Sequence, residues 1–511
     1  MRIAYPRVCI IQWLAVLLCA GCQPKVGGEE TQNKPNILFL FADDHTYDAI
    51  HAFGNHIIHT PNLDRLAGAG VSFTHSYNMG SWTGAVCLSS RAMIMSGRSV
   101  WDAKVHSERW EQSDDIAASQ NWGQLMREQG YNTYMTGKWH IKHPADQVFD
   151  VVKHERPGMP KDHWDSKKIG EMKKLLAEDK DIQSLMPVGY SRPVSSTDTS
   201  WSPTDTRHGG YWKGGKHWSE VVKEDALEFI ADAAQKEDPF FMYVAFNAPH
   251  DPRQAPREFL DRYPLENIPL PSNWLPEYPY HNEIGCSRFL RDEMLAPFPR
   301  TPHATRTHLK EYYAIITHLD AQIGDILDAL EASGKAGNTY IFFTADHGLS
   351  VGRHGLLGKQ NLFDHSIRVP LIVTGPGIPV NQKRPVDIYL QDIMATSLEL
   401  AGVPKPGYLF FNSFLDVAKG KAAEGAYDEE GIYGTYIDFQ RMIRKDDFKL
   451  IVYPKIKKVL LFDMKNDPGE MNDLASLPQY RERTKSMFAS LLKLQAKMND
   501  PLDLRSMYNE L

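Results

Sequence analysis

The stretch Val86-Cys87-Leu88-Ser89-Ser90-Arg91-Ala92-Met93-Ile94-Met95-Ser96-Gly97-Arg98 opens with a cysteine and continues as an apolar helical run. A cysteine in the first turn of a helix, with an arginine one turn later, gains from the helix dipole and from the nearby cation. This pattern favours anionic chemistry at Cys87. Taken alone, the stretch is more typical of a cysteine buried in a core helix, so the functional interpretation depends on the rest of the chain.

Three other stretches place polar residues directly after apolar runs that are typical of strands. Residues 36–45 read NILFLFADDH, residues 130–140 read GYNTYMTGKWH, and residues 339–348 read TYIFFTADHG. The polar residues at their ends are Asp43-Asp44, Lys138 with His140, and Asp346-His347. Because open α/β sheets build their sites at the carboxyl ends of strands, we expect these side chains to lie together.

Strands and helices alternate from Lys34 to about residue 405, which predicts an α/β domain with a large, mostly parallel β-sheet sandwiched by helices. Residues 145–215 show weak periodicity and are interpreted as an insertion beside the site, and a long loop is predicted over about 251–303. After Gly402-Val403-Pro404 a hairpin, a further strand and a final helix predict a smaller C-terminal domain of antiparallel sheet plus helix, over 406–511.

The N-terminus is interpreted as a targeting segment. Arg2 and Arg7 precede a short apolar run, which ends at Cys19-Ala20-Gly21-Cys22 and resembles a bacterial lipoprotein signal. We therefore expect a signal peptide with a lipobox over 1–22, lipidation of Cys22, and a polar tether over 23–33. A plain secretory signal is the alternative. Either reading predicts export, and the first predicts a periplasmic or cell-surface lipoprotein with a lipid anchor to the membrane.

Composition excludes several classes of protein. The 511 residues carry a formal net charge of -7, which argues against a nucleic-acid binder. Of the five cysteines, Cys9 and Cys19 would be removed with the predicted signal, and the remaining Cys22, Cys87 and Cys286 are no disulfide framework. An anionic substrate would need a local basic pocket.

In combination these motifs resemble a type I sulfatase of the alkaline-phosphatase superfamily, in which the cysteine is converted to formylglycine. The resemblance runs from about Lys34 into the C-terminal region. The pair Asp346-His347 resembles the iduronate-2-sulfatase-like branch. One departure is Ser89, where the family usually has proline or alanine, and this puts recognition of Cys87 by the maturation enzyme in doubt.

The resemblance implies a metal site. Asp43, Asp44, Asp346 and His347 form a mainly oxygen-donor set suited to a hard divalent cation, and an oxygen of the formylglycine hydrate at position 87 would complete it. The family implies Ca²⁺, with Mg²⁺ as the alternative.

The resemblance also implies how the sulfate ester would be cleaved. One hydroxyl of the hydrate made from Cys87 attacks sulfur, and the other later expels sulfate. Arg91 would hold the hydrate, and His140 would take the proton in the expulsion step.

Three further residues are assigned to the substrate by the same resemblance. Lys138 and Lys359 would bind sulfate oxygens, and His250, with Lys359, would protonate the leaving alcohol. Lys359 ends the run His354-Gly355-Leu356-Leu357-Gly358-Lys359, and His250 ends Asn247-Ala248-Pro249-His250, both of which match the family.

Three functions therefore compete. The first is a sulfuric ester hydrolase acting on a sulfated oligosaccharide or polysaccharide, with a formylglycine-generating enzyme as its maturation partner. The second is a phosphomonoester or phosphonate hydrolase on the same scaffold. The third is an inactive sulfated-glycan-binding lipoprotein in which Ser89 blocks maturation.

Overall fold

The computed structural model describes residues 34–158, 166–178, 180–422 and 425–510, together with residues 1, 3 and 4. Pro35–Leu511 forms one compact unit. Nearly all of the predicted signal peptide, with Cys22, and the tether over 23–33 lie outside the described residues, so these assignments stay predictions. Within the described ranges, no helix is both long and apolar enough to cross a membrane.

The strands alternate with helices along most of the chain. The strands are β1 Asn36–Asp43, β2 Val71–Tyr77, β3 Gly80–Ser81, β4 Asn132–Lys138, β5 Val151–Arg156, β6 Phe240–Pro249, β7 Thr339–Ala345, β8 Arg368–Thr374, β9 Gln382–Tyr389, β10 Ile432–Tyr436, β11 Gln440–Lys445, β12 Phe448–Tyr453 and β13 Lys458–Asp463. The α-helices are α1 Pro61–Gly68, α2 Val86–Ser96, α3 Val100–Glu111, α4 Asp115–Ser119, α5 Trp122–Glu128, α6 Ala145–Val148, α7 Ser166–Ala177, α8 Trp218–Ala234, α9 Arg257–Leu260, α10 Pro302–Ala332, α11 Asp364–Ile367, α12 Asp392–Leu400, α13 Leu415–Ala418, α14 Arg481–Lys497 and α15 Arg505–Glu510.

The large sheet has eight strands in the order β5-β4-β6-β1-β7-β8-β2-β9. Strand β1 lies between β6 and β7 and runs parallel to both, whereas β8 is antiparallel to its two neighbours. All residues of β1 and β6 are buried, as expected for strands covered on both faces. The predicted large, mostly parallel sheet flanked by helices is confirmed.

The second sheet has the order β13-β12-β11-β10-β3. Strands β10 to β13 are antiparallel, and α14 packs on β11, so the predicted smaller sheet with one helix is confirmed. Strand β3 joins the edge of this sheet by running parallel to β10. Because β3 precedes Cys87 by only a few residues, the smaller sheet reaches the stretch that carries the cysteine.

The interpretation of residues 145–215 as one irregular insertion is wrong in part. Val151–Arg156 is the edge strand of the large sheet and pairs with β4. This strand is short, charged and half exposed, so it lacks the alternation that identifies a strand in a sequence. The long helix α10 begins at Pro302, at the end of the predicted loop, where the Thr301 side chain caps it by accepting a hydrogen bond from the Ala304 N–H at 3.1 Å.

One buried histidine makes the fold sensitive to acid. His217 precedes α8; its Nε2 donates to the Gln254 carbonyl at 2.9 Å, and its Nδ1 accepts from the Ser219 N–H at 3.1 Å. Burial lowers the pKa of His217 well below its usual value. Below about pH 6.5 the unfolded chain binds a proton that the folded chain excludes, so this residue costs about 1.4 kcal/mol of stability per pH unit.

We expect His217→Asn to flatten the pH dependence of the unfolding free energy by one proton between about pH 6.5 and pH 5. Asparagine can still cap α8 but does not titrate. Urea unfolding of the variant and the wild-type protein across this range measures the effect. Parallel curves for the two proteins would contradict it.

Candidate active site

The site lies at the carboxyl ends of β4, β1 and β7 in the middle of the large sheet, where β6 separates β4 from β1. Asp43 is the last residue of β1, Asp346 follows β7, and Lys138 ends β4. Asp44 turns the chain away from the sheet with a φ of 66°, and its N–H donates to Asp346 Oδ1 at 3.1 Å. The structure therefore brings together Asp43, Asp44, Lys138 and Asp346, four of the residues predicted to meet at this edge.

Three of these carboxylates form a buried cluster with the cysteine. Ligand atoms of Asp43, Asp44, Asp346 and Cys87 all lie within 4.8 Å of one another. Burial, together with the neighbouring carboxylates, raises the pKa of Asp43 to about 6 and that of Asp44 to about 8. Asp43 Oδ1 has no hydrogen-bond partner among the described residues. Buried carboxylates with a bare oxygen fit a hard divalent cation.

Cys87 lies in the first turn of α2 and is buried. Its Sγ is 3.0 Å from Lys359 Nζ and 3.7 Å from Asp44 Oδ1. Burial, with Asp346 and Asp43 nearby, raises the pKa of the thiol well above its usual value. The expectation that the helix dipole and Arg91 favour an anion at Cys87 is therefore wrong for the thiol itself, because burial and the carboxylates outweigh them.

Two lysines neutralise the carboxylates. Lys359 Nζ donates to both Oδ atoms of Asp44 at 2.7 Å, and Lys138 Nζ donates to Asp43 Oδ2. Both lysine side chains are almost entirely buried. The site therefore holds two ammonium groups beside Cys87, as an anionic substrate requires.

Arg91 connects three of the segments that form the site. Its Nε donates to Asp346 Oδ2 at 2.9 Å, and its Nη1 donates to the Lys138 carbonyl at 2.7 Å. Its Nη2 lies 3.8 Å from Asp43 Oδ1 and is buried with no hydrogen-bond partner among the described residues. Arg91 thus links α2 to β4 and β7, and one of its donors remains available.

The two histidines predicted to move protons differ in their surroundings. His250 Nδ1 donates to the Asp251 carbonyl at 2.8 Å, which leaves Nε2 facing Asp44 Oδ2 at 3.7 Å. His140 follows β4 with a φ of 54°, and its Nδ1 is buried with no partner among the described residues. Burial, together with Lys359 for His250 and Lys138 for His140, lowers the pKa of both.

His347 stands apart from the four-residue cluster. The groups within 4.8 Å of one another, in the described part of the chain, do not contain a His347 nitrogen. Its Nδ1 donates to the Gly348 carbonyl at 3.0 Å, and its Nε2 is buried with no partner among the described residues. The tautomer thus suits a metal ligand, and the role of His347 stays a prediction.

Sequence reasoning missed several residues that hold the site. The Asp346 carbonyl accepts from Asn78 Nδ2 at 2.6 Å and from Ser90 Oγ at 2.8 Å, and the Asp44 carbonyl accepts from Tyr312 Oη at 2.6 Å. These bonds join residues far apart in the chain. Ser90 lies in the same stretch as Cys87, whereas Asn78 and Tyr312 belong to no motif.

The chain is similar to known sulfatases in sequence. A family model described as Sulfatase matches residues 35–403, and one described as N-sulphoglucosamine sulphohydrolase, C-terminal, matches residues 352–497. The N-acetylglucosamine-6-O-sulfatase of Bacteroides thetaiotaomicron is 26% identical, covering 96% of this chain and 91% of the relative. The iduronate 2-sulfatase of Mus musculus is 27% identical, covering 70% of this chain and 62% of the relative.

Solved structures share the fold at low sequence identity. A protein in complex with its substrate D-glucosamine-2-N,6-O-disulfate superposes with a TM-score of 0.68 at 22% identity, covering 92% of this chain and 99% of that one. The phosphonate monoester hydrolase of Agrobacterium radiobacter has a TM-score of 0.65 at 20% identity, covering 91% of this chain and 96% of that one.

Proposed function

Since this chain belongs to the sulfatase family and is a sulfuric ester hydrolase, we propose that it removes sulfate from a sulfated carbohydrate through a nucleophile made from Cys87. One observation carries the proposal: Cys87 Sγ lies 3.0 Å from Lys359 Nζ and within 4.8 Å of carboxylate oxygens of Asp43, Asp44 and Asp346. Relatives and structural neighbours that act on sulfated sugars support the substrate class.

The unmodified thiol is a poor nucleophile here. Its raised pKa keeps it protonated, and the protonated form does not attack. This supports conversion of Cys87 to formylglycine by a formylglycine-generating enzyme. A hydrated formylglycine supplies two hydroxyls on one carbon, so that the enzyme is regenerated by expelling sulfate instead of hydrolysing a stable sulfate ester.

The lysines bind the anionic substrate. Lys138 and Lys359 present ammonium groups in a buried site, where their attraction for a sulfate group is stronger than in water. Both already lie against carboxylates, so a sulfate oxygen would be held by groups with fixed positions. Arg91 Nη2, which has no hydrogen-bond partner among the described residues, would hold the group at position 87.

The histidines move the protons. His250 must act through Nε2, because Nδ1 is committed to the Asp251 carbonyl. A bound sulfate ester adds negative charge beside His250, which raises the pKa of this histidine and favours the form that donates to the leaving alcohol. His140, on the β4 side, would take the proton when sulfate is expelled.

Asp43, Asp44 and Asp346, with His347, would hold the divalent cation that the family implies. Ca²⁺ is preferred, with Mg²⁺ as the alternative, because the donors in the cluster are carboxylate oxygens. When bound, the cation would supply Lewis acidity and positive charge at the reacting centre.

The enzyme would work outside the cytoplasm. Lipidation at Cys22 after export would anchor it to a periplasmic or cell-surface membrane, where polysaccharides are met. Incorporation of labelled palmitate into the wild-type protein, and its loss in Cys22→Ser, tests this. A Cys22→Ser protein that stays labelled would contradict it.

Relative turnover of matched esters tests the function. Sulfated monosaccharides should be cleaved at rates at least about 10²-fold above those of the corresponding phosphate esters and of a phosphonate monoester, since the site has evolved for one transition state. The reverse preference would favour the phosphomonoester or phosphonate hydrolase, whose fold this chain shares. Binding without turnover, with an unmodified Cys87, would favour the glycan-binding lipoprotein.

The departure at Ser89 predicts less efficient maturation of Cys87. Its Oγ is buried and lies 2.7 Å from Ser81 Oγ, which also bonds the Thr83 backbone at 2.6 and 3.0 Å. Ser89→Ala therefore leaves the partner hydroxyl satisfied and should cost at most about 1 kcal/mol. We expect it to raise the fraction of protein carrying the aldehyde, measured by mass spectrometry of the peptide that contains residue 87. A lower converted fraction would contradict this.

A further inference from the structure

Three consecutive charged residues of the loop over about 251–303 contact segments that carry site residues. Arg291, Asp292 and Glu293 are nearly or fully buried, and none of them carried a motif in the sequence. Their side chains form hydrogen bonds with two segments, Asp251 and the run 357–360. These segments contain or adjoin His250 and Lys359, the residues assigned to protonation of the leaving alcohol.

Arg291 forms a bidentate ion pair with Asp251, the residue that follows His250. Its Nη1 donates to Asp251 Oδ1 at 3.0 Å, and its Nη2 donates to Asp251 Oδ2. This is the bidentate arrangement that fixes both distance and orientation of a carboxylate. Asp251 in turn accepts from His250 Nδ1 through its carbonyl, and its Oδ1 lies 3.4 Å from the same nitrogen. The position of the imidazole therefore depends on Asp251.

The same arginine is linked to the segment of Lys359. Arg291 Nη1 also donates to Asp292 Oδ1 at 3.0 Å, and Asp292 Oδ2 accepts from Gln360 Nε2 at 2.7 Å. Gln360 Oε1 accepts from the Lys359 N–H at 3.0 Å. The chain of contacts thus runs from Asp251 to the backbone of Lys359.

Glu293 completes the support. Its carboxylate accepts from the N–H groups of Leu357, at 3.0 Å, and Gly358, at 2.8 Å, and it pairs with the buried Arg300. A β-carbon at Gly358 would lie 2.5 Å from Gln360 Oε1 and 2.8 Å from Asp292 Cβ, so the loop packs directly on this segment. The carboxylates of Asp292 and Glu293 thus hold the segment around Lys359 in place.

We propose that Arg291 is a positioning residue that, through Asp251 and Asp292, keeps His250 and Lys359 directed at the oxygen of the leaving group. The inference rests on the proposed function, in which these two residues protonate that oxygen. Displacement of a proton donor by about 1 Å can cost on the order of 10²-fold in rate. The loss should fall on esters whose alcohol needs a proton to leave.

The test compares two leaving groups in Arg291→Gln. The first probe is 4-nitrophenyl sulfate, whose phenolate leaves without a proton. The second is a sulfated monosaccharide that the wild-type protein cleaves. It is found by screening a panel that begins with N-acetylglucosamine 6-sulfate. We expect kcat/KM to fall about 30- to 100-fold on the sugar sulfate and less than about 10-fold on the aryl sulfate, where only the contact of Lys359 with the sulfate group is affected.

Arg288→Gln is the matched control. Arg288 lies in the same loop, and its guanidinium lies 5.8 Å from the ring centroids of Phe289 and Phe298. This variant should keep both activities. Asp251→Asn is the second variant, since it keeps the backbone carbonyl and the size of the side chain while weakening the grip of Arg291. It should show the same bias toward the aryl ester, with a smaller loss.

Equal losses on the two esters, or no loss on either, in both Arg291→Gln and Asp251→Asn would overturn the positioning role. A wild-type protein, with an aldehyde at position 87, that cleaves neither ester would overturn the proposed function and this role with it. A bias toward the aryl ester in Asp251→Asn supports the role even if Arg291→Gln fails to fold.

Discussion

Replacing Cys87 with alanine should lower sulfate release by on the order of 10⁵-fold or more, which is the scale of losses when a covalent nucleophile is removed. The side chain is small and buried, so the substitution removes the nucleophile while leaving the carboxylates and lysines in place. Initial rates on a sulfated monosaccharide, together with mass spectrometry of the peptide that contains residue 87, measure the effect. The wild-type peptide should carry an aldehyde.

Cys286→Ala is the matched control for this experiment. Cys286 is also buried, and its Sγ donates to the Gln360 carbonyl at 3.1 Å, away from the carboxylate cluster. This variant should retain nearly full activity. An unmodified thiol at position 87 in fully active wild-type protein would contradict the formylglycine mechanism. Comparable losses of activity in the two cysteine variants would indicate a general effect on folding.

Asp43→Asn should lower kcat by at least about 10³-fold and remove the response of the protein to divalent cations, since a catalytic cation contributes several kcal/mol to the barrier. The substitution keeps the size of the side chain but replaces one charged ligand oxygen with an amide. In the wild-type protein, dialysis against a chelator should cause a similar loss, and added Ca²⁺ should restore activity better than Mg²⁺.

Asp48→Asn is the control carboxylate. Asp48 follows the same strand, but its side chain is half exposed and pairs with Arg353 at 2.6 Å, outside the cluster. Loss of such a pair costs about 0–1 kcal/mol of stability and should leave the cation response unchanged. Full activity of the chelated wild-type protein would remove the metal from the proposed mechanism.

The strands of the large sheet were predictable where they are apolar and are followed by charged residues of the site. Asn36–Asp43 and Thr339–Ala345 are continuous, largely buried runs, and the predicted ends at Asp43 and Asp346 are confirmed. The strands Val71–Tyr77 and Gln382–Tyr389, on the far side of the sheet, were not predicted. The first four residues of Gln382–Tyr389 are polar or proline, so this edge strand carries little hydrophobic signal.

The sequence by itself determined which groups are available to the site: one cysteine, paired carboxylates, lysines and histidines placed at strand ends or in matching loops. Only the tertiary structure decided how they act. Burial keeps the Cys87 thiol protonated against the pull of the helix dipole, and Arg291 connects His250 to the segment of Lys359. Desolvation and contacts between residues far apart in the chain depend on packing, which no local pattern encodes.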